Sequence, residues 1–579
     1  MKNFWILRSN KALLLITFFL ITSSNILSQD IIKSMDYPQD FRAPLDIRPT
    51  LAGSFGEIRG NHFHSGLDYR TNQREGYPVY AVADGYISRL RVQIGGFGNA
   101  IYISHPNGYT SVYAHLQRFN TRMAQTVKDL QYRKESFAVD FPLLPIEIPV
   151  KKGDIIAWSG NTGSSGGPHL HFEMRDTKTE ETINPQLFGF EVFDNVKPTL
   201  SALYIYRINN KPFSELTPSQ YFQINGSNGD YYLNQSPIIN FSGQVGFGIV
   251  GFDQQLSGGN KNGLYSIELI LDDKTIYTSV LERFAFEDSR AINSHIDYPA
   301  LISYKRTVQK SFVEPGNPLN IYKNVINAGL VELADDAVHR VQYVVKDTKG
   351  NTSTLNFRIR KNNQAVIPQP AETGIKLFAY SDSSNYQTDR MRVVIPKGSL
   401  YDNINFKYST SNRPAKAYSI IHNIHTRTIP IHKPYYLWVK PDVAIPEYLR
   451  EKAVIADSRG ASHGGEFDKG FLKASLKTFG SFYIQLDTIA PLIRPINISN
   501  GKSMSDISKI VFKMTDNLSG IGSFSGTIDG QWVLFEYDAK TATVWHTFDE
   551  GLTPGKHFLQ FTATDVKKNI RTYNATFIK

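Results

Sequence analysis

The stretch GNTGSSGGPHLHFE, residues 160–173, decides how the first part of this chain folds. Its second half alternates, with Leu170 and Phe172 set between His169, His171 and Glu173. Because alternate residues of a strand share a face, this pattern predicts a strand that turns both histidines into one site and both apolar residues into a core. The glycine-rich half lacks the GK[ST] ending of a phosphate loop, so we interpret it as the wall of a groove for an extended peptide.

The histidines of the chain are concentrated around this stretch. Six of the 14 lie between positions 62 and 171: His62, His64, His105, His115, His169 and His171. The segment HFHSGLDY at 62–69 sets His64 and Asp68 four residues apart, and a catalytic zinc site takes three protein ligands and one open position. The chain contains no cysteine, so a metal must bind His, Asp or Glu. In SVYAHLQ, we expect His115 to lie on a strand and to share a face with Tyr113.

Together these motifs resemble one family, the lysostaphin-type (LytM-type) zinc metalloendopeptidases of bacterial cell walls. Its three landmarks occur here in order as HSGLD at 64–68, YAHL at 113–116 and GNTGSSGGPHLHFE at 160–173. Each motif alone is weak, but the ordered set is specific. The resemblance covers roughly residues 50–190 and does not extend to the rest of the chain.

The resemblance implies a role for each of five residues. His64, Asp68 and His171 are the expected ligands of Zn²⁺, and His115 and His169 the expected catalytic pair. Bound zinc lowers the pKa of its water toward neutrality, and two histidines beside it can orient that water and stabilise the developing oxyanion. Which histidine acts as base and which as acid stays open, because tautomers are not visible in a sequence.

Other polar residues near the motifs have more ordinary interpretations. His62 lacks the spacing to Asp68 that His64 has, and His105 in YISHPNGY is expected to be a structural histidine at a hairpin turn. Glu173 either hydrogen-bonds a ligand histidine or is a solvated carboxylate. A second group in IIHNIHTRTIPIH at 420–432 lacks the glutamate of a zincin helix, so strand or loop positions are predicted for its members, His422, His425 and His432.

The chain departs from the family pattern in two places. Some members carry a tyrosine before the first metal histidine, whereas GSFGEIRGNHF at 53–63 has none, which leaves Tyr113 or Tyr69 as candidates to replace it. An insertion after YAHL has apolar residues at helical spacing and predicts one amphipathic helix, the residues being Phe119, Met123, Val127 and Leu130. This helix either borders the groove or only packs against the domain.

The N-terminus indicates an exported protein, and the mature chain is weakly basic. Three basic residues, an apolar run at 12–21 and small polar residues predict a signal peptide at 1–28, followed by an N-terminal segment at 29–49. Removing 1–28 leaves 60 basic and 53 acidic residues, a net +7, with no transmembrane segment in the mature chain. No basic cluster interleaved with aromatics is present, so no nucleic-acid partner is expected. The predicted location is periplasmic or envelope-associated, with secretion as the alternative.

Beyond residue 192 the sequence predicts short strands in which apolar and polar residues alternate. Three short motifs, here called marks, occur twice in the same order. The marks are DNVKP at 194–198 and DTIAP at 487–491, FDQQLSG at 252–258 and TDNLSG at 515–520, and VKDTKGN at 345–351 and ATDVKKN at 563–569. An internal duplication accounts for this order, so immunoglobulin-like β-sandwiches are predicted at 193–361 and 487–579. Between them we expect a linker at 362–374 and a further β-rich domain at 375–486.

The predicted fold class is therefore mainly β, with an antiparallel-sheet peptidase domain at 50–192 followed by several β-sandwich modules. The resemblance implies an exported zinc metalloendopeptidase that hydrolyses peptide stems or cross-links of peptidoglycan. Two alternatives stay open: a non-catalytic adaptor of the same fold that activates another wall hydrolase, and a secreted protease against other targets. Neither the bond that is cut nor the partner of the β-modules can be read from the sequence.

Overall fold

The structure is a computed structural model that describes residues 36–190, 192–235, 237–255, 259–362, 373–548 and 551–579. The predicted signal peptide at 1–28 and most of the predicted linker at 362–374 lie outside these ranges. Strands make up 46% of the chain and helices 8%, which confirms the mainly β prediction. Within the described ranges, no helix combines the length and apolarity needed to cross a membrane.

The peptidase region is built from short strands and one helix. In chain order the elements are β1 (Leu51–Gly53), β2 (Ile58–Arg59), β3 (His62–Phe63), β4 (Leu67–Arg70), β5 (Pro78–Tyr80), β6 (Gly85–Val92), β7 (Asn99–Ser104), β8 (Tyr109–Ala114), β9 (Arg118–Phe119), α1 (Thr121–Lys134), β10 (Val139–Pro142), β11 (Pro149–Val150), β12 (Ile155–Trp158), β13 (His169–Asp176) and β14 (Thr182–Ile183).

One antiparallel sheet of this region carries the candidate site. Its strands run in the order β1-β4-β13-β8-β7-β6-β10, so β13 lies between β4 and β8. The register sets His171 beside Asp68 on β4 and beside Ala114 on β8. Leu170 and Phe172 are fully buried, as the alternation of β13 predicts. The three sequence landmarks thus converge because their strands are neighbours.

The predicted amphipathic helix is present as α1. Asn120 caps it by accepting a hydrogen bond from the backbone N–H of Met123, and Met123 and Val127 are buried. Leu130 is only half-buried, and Phe119 precedes the helix on β9.

The following modules are almost entirely strands. The first contains β15 (Thr199–Arg207), β16 (Ser219–Ser227), β17 (Asp230–Leu233), β18 (Ile238–Phe241), β19 (Val245–Phe252), β20 (Ser266–Leu271), β21 (Lys274–Val280), β22 (Arg283–Phe284), α2 (Ile292–His295), α3 (Tyr298–Tyr304), β23 (Gln309–Lys310), β24 (Tyr322–Val325), β25 (Val338–Lys346) and β26 (Thr352–Lys361). The next contains β27 (Lys376–Phe378), β28 (Ser384–Gln387), β29 (Met391–Ile395), β30 (Ile404–Phe406), β31 (Tyr408–Ser411), β32 (Ile421–Ile424), β33 (Pro430–Val439), β34 (Ala453–Asp457), β35 (Glu466–Asp468), β36 (Phe471–Thr478) and β37 (Gly480–Leu486). The last contains β38 (Leu492–Pro495), β39 (Lys502–Ser503), β40 (Lys509–Thr515), β41 (Ile521–Ile528), β42 (Gln531–Val533), β43 (Glu536–Asp538), β44 (Thr543–Thr547), β45 (Lys556–Asp565) and β46 (Ile570–Ile578).

The first and last modules share a set of strand pairings. β15 pairs with β19 as β38 pairs with β40, and β20 pairs with β25 as β41 pairs with β45. In both, the final hairpin, β25-β26 or β45-β46, is joined by a short parallel strand, β18 or β39. The first module is longer because it also holds β22 to β24 and the helices α2 and α3.

The peptidase region is not separate from the modules. β14 pairs with β22, so the sheet of the site continues into the first module. The ring of Phe284 packs 5.0 Å from that of Phe55. At the other end of the chain, Trp532 of the last module meets Tyr132 of α1 edge to face at 5.0 Å. Helix α1 is therefore a packing surface between modules.

Candidate active site

Three of the predicted residues bring their donor atoms to one point. Nε2 of His64 lies 3.0 Å from Nδ1 of His171, and Oδ1 of Asp68 lies 3.0 Å from the first atom and 2.8 Å from the second. All three side chains are buried, at 3–4% exposure. They form one of the groups of the described residues that could hold a metal ion.

The hydrogen bonds on the far side of each imidazole set its tautomer. Nδ1 of His64 donates to the carbonyl of Ser54 at 2.7 Å, and Nε2 of His171 donates to Oε1 of Glu173 at 2.9 Å. A carbonyl or carboxylate oxygen can only accept, so the opposite nitrogens point lone pairs inward. When His171 is neutral, its Nδ1, Nε2 of His64 and Oδ1 of Asp68 direct three lone pairs into one buried space, which is the donor set that a metal cation requires. Without a cation, Nδ1 of His171 takes up a proton and donates to Asp68 at 2.8 Å.

The pKa values of His171 and Asp68 also indicate that the site favours a positive charge. Burial lowers the pKa of His171, but its hydrogen bonds to Asp68 and Glu173 outweigh burial and raise that pKa to about 9. Burial raises the pKa of Asp68, yet the neighbouring imidazoles of His64, His169 and His171 hold it well below its usual value. Asp68 is therefore an anion, and a cation is favoured beside it.

A close approach of two strands explains the glycine of HSGLD. A Cβ built on Gly66 would lie 2.2 Å from the carbonyl oxygen of Phe172 on β13, far inside contact distance. Only glycine lets the segment between His64 and β4 pass this close to β13. The glycine thereby brings His64 and Asp68 to the same face of the sheet as His171.

The predicted catalytic histidines lie next to this group. The rings of His115 and His169 are 4.8 Å apart, and Nε2 of His169 is 3.4 Å from Oδ1 of Asp68. Each ring donates from Nδ1 to a backbone carbonyl at 2.8 Å, His115 to Thr162 and His169 to Gly167. Burial, and then His171 and His169, lower the pKa of His115 to about 3, so this imidazole is neutral. In these tautomers Nε2 of each ring can accept a proton.

The expectation that His115 lies on a strand with Tyr113 is wrong. Strand β8 ends at Ala114, and His115 takes a left-handed φ of 59° with its N–H bonded to the carbonyl of Phe97. Tyr113 instead lies opposite Phe172 in the register, and its buried hydroxyl accepts the N–H of Val82. Alternation ends where a strand ends, so it does not apply to His115.

Tyr69, the other candidate to replace the missing tyrosine, also lies on the core side. It pairs with Leu170 in the register, and its side chain is buried. The structure therefore places neither tyrosine candidate on the histidine face of β13.

Two arginines that support the group had not been singled out from the sequence, whereas Glu173 had been. Nη2 of Arg59 holds Oδ2 of Asp68 at 2.7 Å, across the short β2-β3 hairpin. Glu173 is a hydrogen-bond acceptor for His171 and is itself held by Arg175, with Nε and Oε2 2.7 Å apart. Arg175 continues the alternation of His171 and Glu173 on β13, so the sequence contained a signal for it. For Arg59 the sequence had no comparable spacing.

The other histidines lie elsewhere. His62 is exposed and bonds the carbonyl of Gly60, and His105 bonds the carbonyl of Asp84 and the hydroxyl of Ser111. In the second group, His422 contacts Tyr408, His425 packs against Phe479 and His432 contacts Tyr401. These contacts do not bring the second group to one point.

The glycine-rich loop before β13 is touched by the last module. Nζ of Lys540 donates to the carbonyl of Asn161 and lies 3.3 Å from its side-chain oxygen. The loop that we interpret as a groove wall is thus in contact with the C-terminal module.

Comparisons with known proteins find similarity in two parts of the chain. Residues 62–132 match the model of peptidase family M23, and residues 375–487 match the model of a Zu5-like domain. An uncharacterized metalloprotease of Haemophilus influenzae is 37% identical over 111 residues, which are 19% of this chain and 18% of that protein. The DD-carboxypeptidase/endopeptidase Mpg of Neisseria meningitidis serogroup B is 37% identical over 112 residues, 19% of this chain and 20% of that protein. The peptidoglycan DD-endopeptidase ShyC of Vibrio cholerae is 31% identical over 142 residues, 23% of this chain and 26% of that protein.

The candidate site combines a buried His-Asp-His group with two further histidines. The family match and the relatives show that the chain carries an M23 (LytM-type) peptidase domain. The matched segments span only about a fifth to a quarter of the length of these relatives. The family match also ends at residue 132, before His169 and His171, whose positions come from β13 of the structure.

Proposed function

We propose that this protein is a zinc-dependent endopeptidase that hydrolyses peptide cross-links of peptidoglycan. The observation that carries the proposal is the convergence of three lone pairs, from His64, Asp68 and His171, beside the His115–His169 pair. Relatives of the matched domain include proteins named as a DD-carboxypeptidase/endopeptidase and a peptidoglycan DD-endopeptidase, which supports this substrate class.

The donor set fits zinc in particular. Two imidazole nitrogens and one carboxylate oxygen suit zinc, and three protein ligands leave a position for water or substrate. The three donor atoms lie 2.8–3.0 Å from one another, close enough for all of them to bind one ion. When bound, zinc would supply an acidified water and polarise the scissile carbonyl. Arg59 and Glu173 hold the ligands Asp68 and His171 in place.

His115 and His169 are proposed to transfer protons during the hydrolysis. Both rings are fixed through Nδ1, which leaves Nε2 as the atom that exchanges a proton with the attacking water and the leaving amine. The neutral form of His115 is the form that can accept. After accepting a proton, the same atom becomes a donor toward the developing oxyanion or the amine. We leave the division of base and acid between the two rings open.

The proposed location is outside the cytoplasm. The predicted signal peptide at 1–28 supports export, and peptidoglycan lies in that compartment. A periplasmic or envelope-associated protein accords with the relatives that act on cell walls.

Digestion of purified peptidoglycan tests the proposal. The zinc-loaded chain from residue 29 is incubated with cross-linked peptidoglycan, and released peptides are identified by mass spectrometry. We expect cleavage by wild type and by His62→Ala, the control at a nearby exposed histidine. His115→Ala and His169→Ala should bind zinc in full but release nothing, whereas His171→Ala should lose zinc as well.

The masses of the released peptides then identify the peptide bond that is cut. Intact peptidoglycan after incubation with a zinc-loaded wild type would overturn the proposal in favour of an adaptor or of a protease with other substrates. Cleavage by His169→Ala at the wild-type rate would remove this residue from the catalytic pair.

A further inference from the structure

The first and last modules each gather three aspartates at one end. The first aspartate cluster consists of Asp194, Asp253 and Asp347, and the last aspartate cluster consists of Asp487, Asp516 and Asp565. In each cluster, one carboxylate oxygen from every residue lies within 4.8 Å of the other two. These are the aspartates of the three marks that occur twice in the sequence.

Equivalent elements carry both clusters. The first aspartate of each precedes the opening strand, β15 or β38, and the second directly follows β19 or β40. The third stands at the turn of the closing hairpin, where an asparagine amide donates both to it and to the backbone carbonyl of the first aspartate. For Asn351 these distances are 2.6 and 3.4 Å, and for Asn569 they are 2.7 and 2.9 Å. Two copies of one arrangement therefore occupy the same place in two modules.

The carboxylates of the first cluster form no ion pair with a basic side chain of the described residues. Asp253 and Asp347 are 6% and 3% exposed, and Asp194 is half-buried. Among the ion pairs of the described residues, none involves these three carboxylates. Burying carboxylates this close together is unfavourable unless a cation joins them or one of them takes up a proton, and burial followed by the charges of Asp194 and Asp347 raises the pKa of Asp253 to about 8. A bound cation would displace that proton.

A neutral side chain adds an independent indication of a ligand. Asn262 is 5% exposed and lines the same cavity as the three aspartates, yet its Oδ1 has no hydrogen-bond donor among the described residues. Oδ1 of Asp253 is equally without a donor. In the last cluster the same holds for Oδ1 of Asp487, a residue 1% exposed, and for Oδ1 of Asp516. Buried oxygens without donors, which in the first cluster line one cavity, are the surroundings that a bound cation provides for.

We propose that each aspartate cluster binds one divalent cation of the calcium class. Calcium takes six to eight oxygen ligands at about 2.3–2.6 Å, so oxygens up to about 5 Å apart can share one ion. Carboxylates and, in the first cluster, the amide oxygen of Asn262 supply such a set. Zinc prefers imidazole and thiolate, so these sites differ in kind from the histidine site of the peptidase region.

The positions of the clusters give the ions a structural role at module junctions. The cavity of the first cluster is also lined by Leu51, Ser54 and Phe55 of the peptidase region. The hydroxyl of Ser54 accepts the N–H of Gly263 at 2.9 Å, and its carbonyl accepts from His64. An ion in the first cluster thus stiffens the loop that orients a proposed zinc ligand.

The last cluster lies at the next junction along the chain. The backbone N–H of Asp487 donates to the carbonyl of Lys452 in the preceding module at 2.8 Å. Asn569 bonds the carbonyl of the same aspartate. An ion here fixes the last module relative to its neighbour.

Calcium titration of the full zinc-loaded chain tests the inference. By isothermal titration calorimetry we expect two calcium equivalents for wild type, one for Asp253→Asn, one for Asp516→Asn and none for the double variant. Asp273→Asn, which removes an exposed carboxylate that pairs with Arg340, is the control and should keep two. Calcium should also raise the thermal midpoint of wild type and of the control, but less in each single variant.

The outcomes separate the two clusters from each other and from the proposed peptidase activity. His169→Ala, expected to be inactive, should still bind two equivalents, so loss of hydrolysis and loss of calcium are distinct results. If a single variant does not fold, calcium-dependent protection of amides 194–197 and 345–351 from hydrogen exchange in wild type replaces it. A folded, zinc-loaded wild type that binds no calcium at millimolar concentration, or variants that bind as much as wild type, would overturn the inference.

Discussion

Replacing Glu173 with glutamine should weaken the proposed metal site and the fold at the same time. Glu173 is fully buried, accepts from Nε2 of His171 at 2.9 Å and from the hydroxyl of Ser65 at 2.5 Å, and neutralises Arg175. Burial raises its pKa, but Arg175 and then His171 lower that pKa to about 2, so the native side chain is a carboxylate. Glutamine keeps the shape and one acceptor oxygen but removes the charge.

The two expected losses have different sizes. Removing a partner behind a metal ligand typically weakens metal binding about 10–100-fold, or about 1.4–2.7 kcal/mol. Leaving Arg175, which is 7% exposed, without its counter-ion should lower the free energy of unfolding by about 3–5 kcal/mol. Cation–π contact with Phe286, whose ring centroid is 4.4 Å from the guanidinium carbon, remains and does not replace the lost charge.

A double variant separates these losses. Because replacing both members of a buried ion pair is often close to neutral, Glu173→Gln/Arg175→Met should recover most of the stability of the zinc-free chain. Zinc affinity should stay low, since His171 still lacks an anionic acceptor. Chelator competition measures the affinity, and denaturant unfolding of the zinc-free protein measures the stability. Wild-type zinc affinity in both variants would refute the role given to Glu173.

Three further perturbations probe other parts of the structure. Gly66→Ala should reduce bound zinc to well below one equivalent by metal analysis, because its Cβ would meet the carbonyl of Phe172; full occupancy would contradict the packing argument. Burial lowers the pKa of His422 to about 4, whereas the pKa of an unfolded histidine is about 6.5. The free energy of unfolding should therefore fall by up to about 3 kcal/mol as the pH falls from 6.5 to 4. In His422→Phe, the thermal midpoint should fall less over this pH range than in wild type. An equally steep fall in the variant would contradict the prediction. Trp532→Ala removes an aromatic contact with Tyr132 worth about 0.5–1.5 kcal/mol and should speed hydrogen exchange in residues 121–134; unchanged exchange would show that this contact does not dock the last module.

The alternation of β13 shows how far local sequence reasoning reaches. The pattern correctly places His169 and His171 on one face and Leu170 and Phe172 in the core. It fails at His115 because β8 ends one residue earlier and the chain turns through a left-handed conformation. That turn depends on a hydrogen bond to a distant carbonyl and leaves no periodic trace in the sequence.

The contacts that complete the sites are tertiary and have no local signal. Arg59 reaches Asp68 only because a two-residue hairpin folds back beside β4. The three aspartates of each cluster are conspicuous in the sequence as repeated marks, but a turn explains each mark by itself. From first to third aspartate the chain runs 347 − 194 = 153 residues in one module and 565 − 487 = 78 in the other, so spacing alone cannot reveal that both sets converge.

The position of His64 follows from two modules acting together. Phe63, the residue before it, packs 5.4 Å from Phe284, and its N–H donates to the hydroxyl of Ser289, both in the first module. On the other side of the ring, Ser54 accepts from Nδ1 of His64 while its hydroxyl is held by Gly263. Because β22 also extends the sheet of the site through β14, the module supplies strand pairing, apolar cover and a hydrogen bond to the same segment. The first module is therefore part of the scaffold that orients the proposed zinc ligand, which a tethered binding domain would not be.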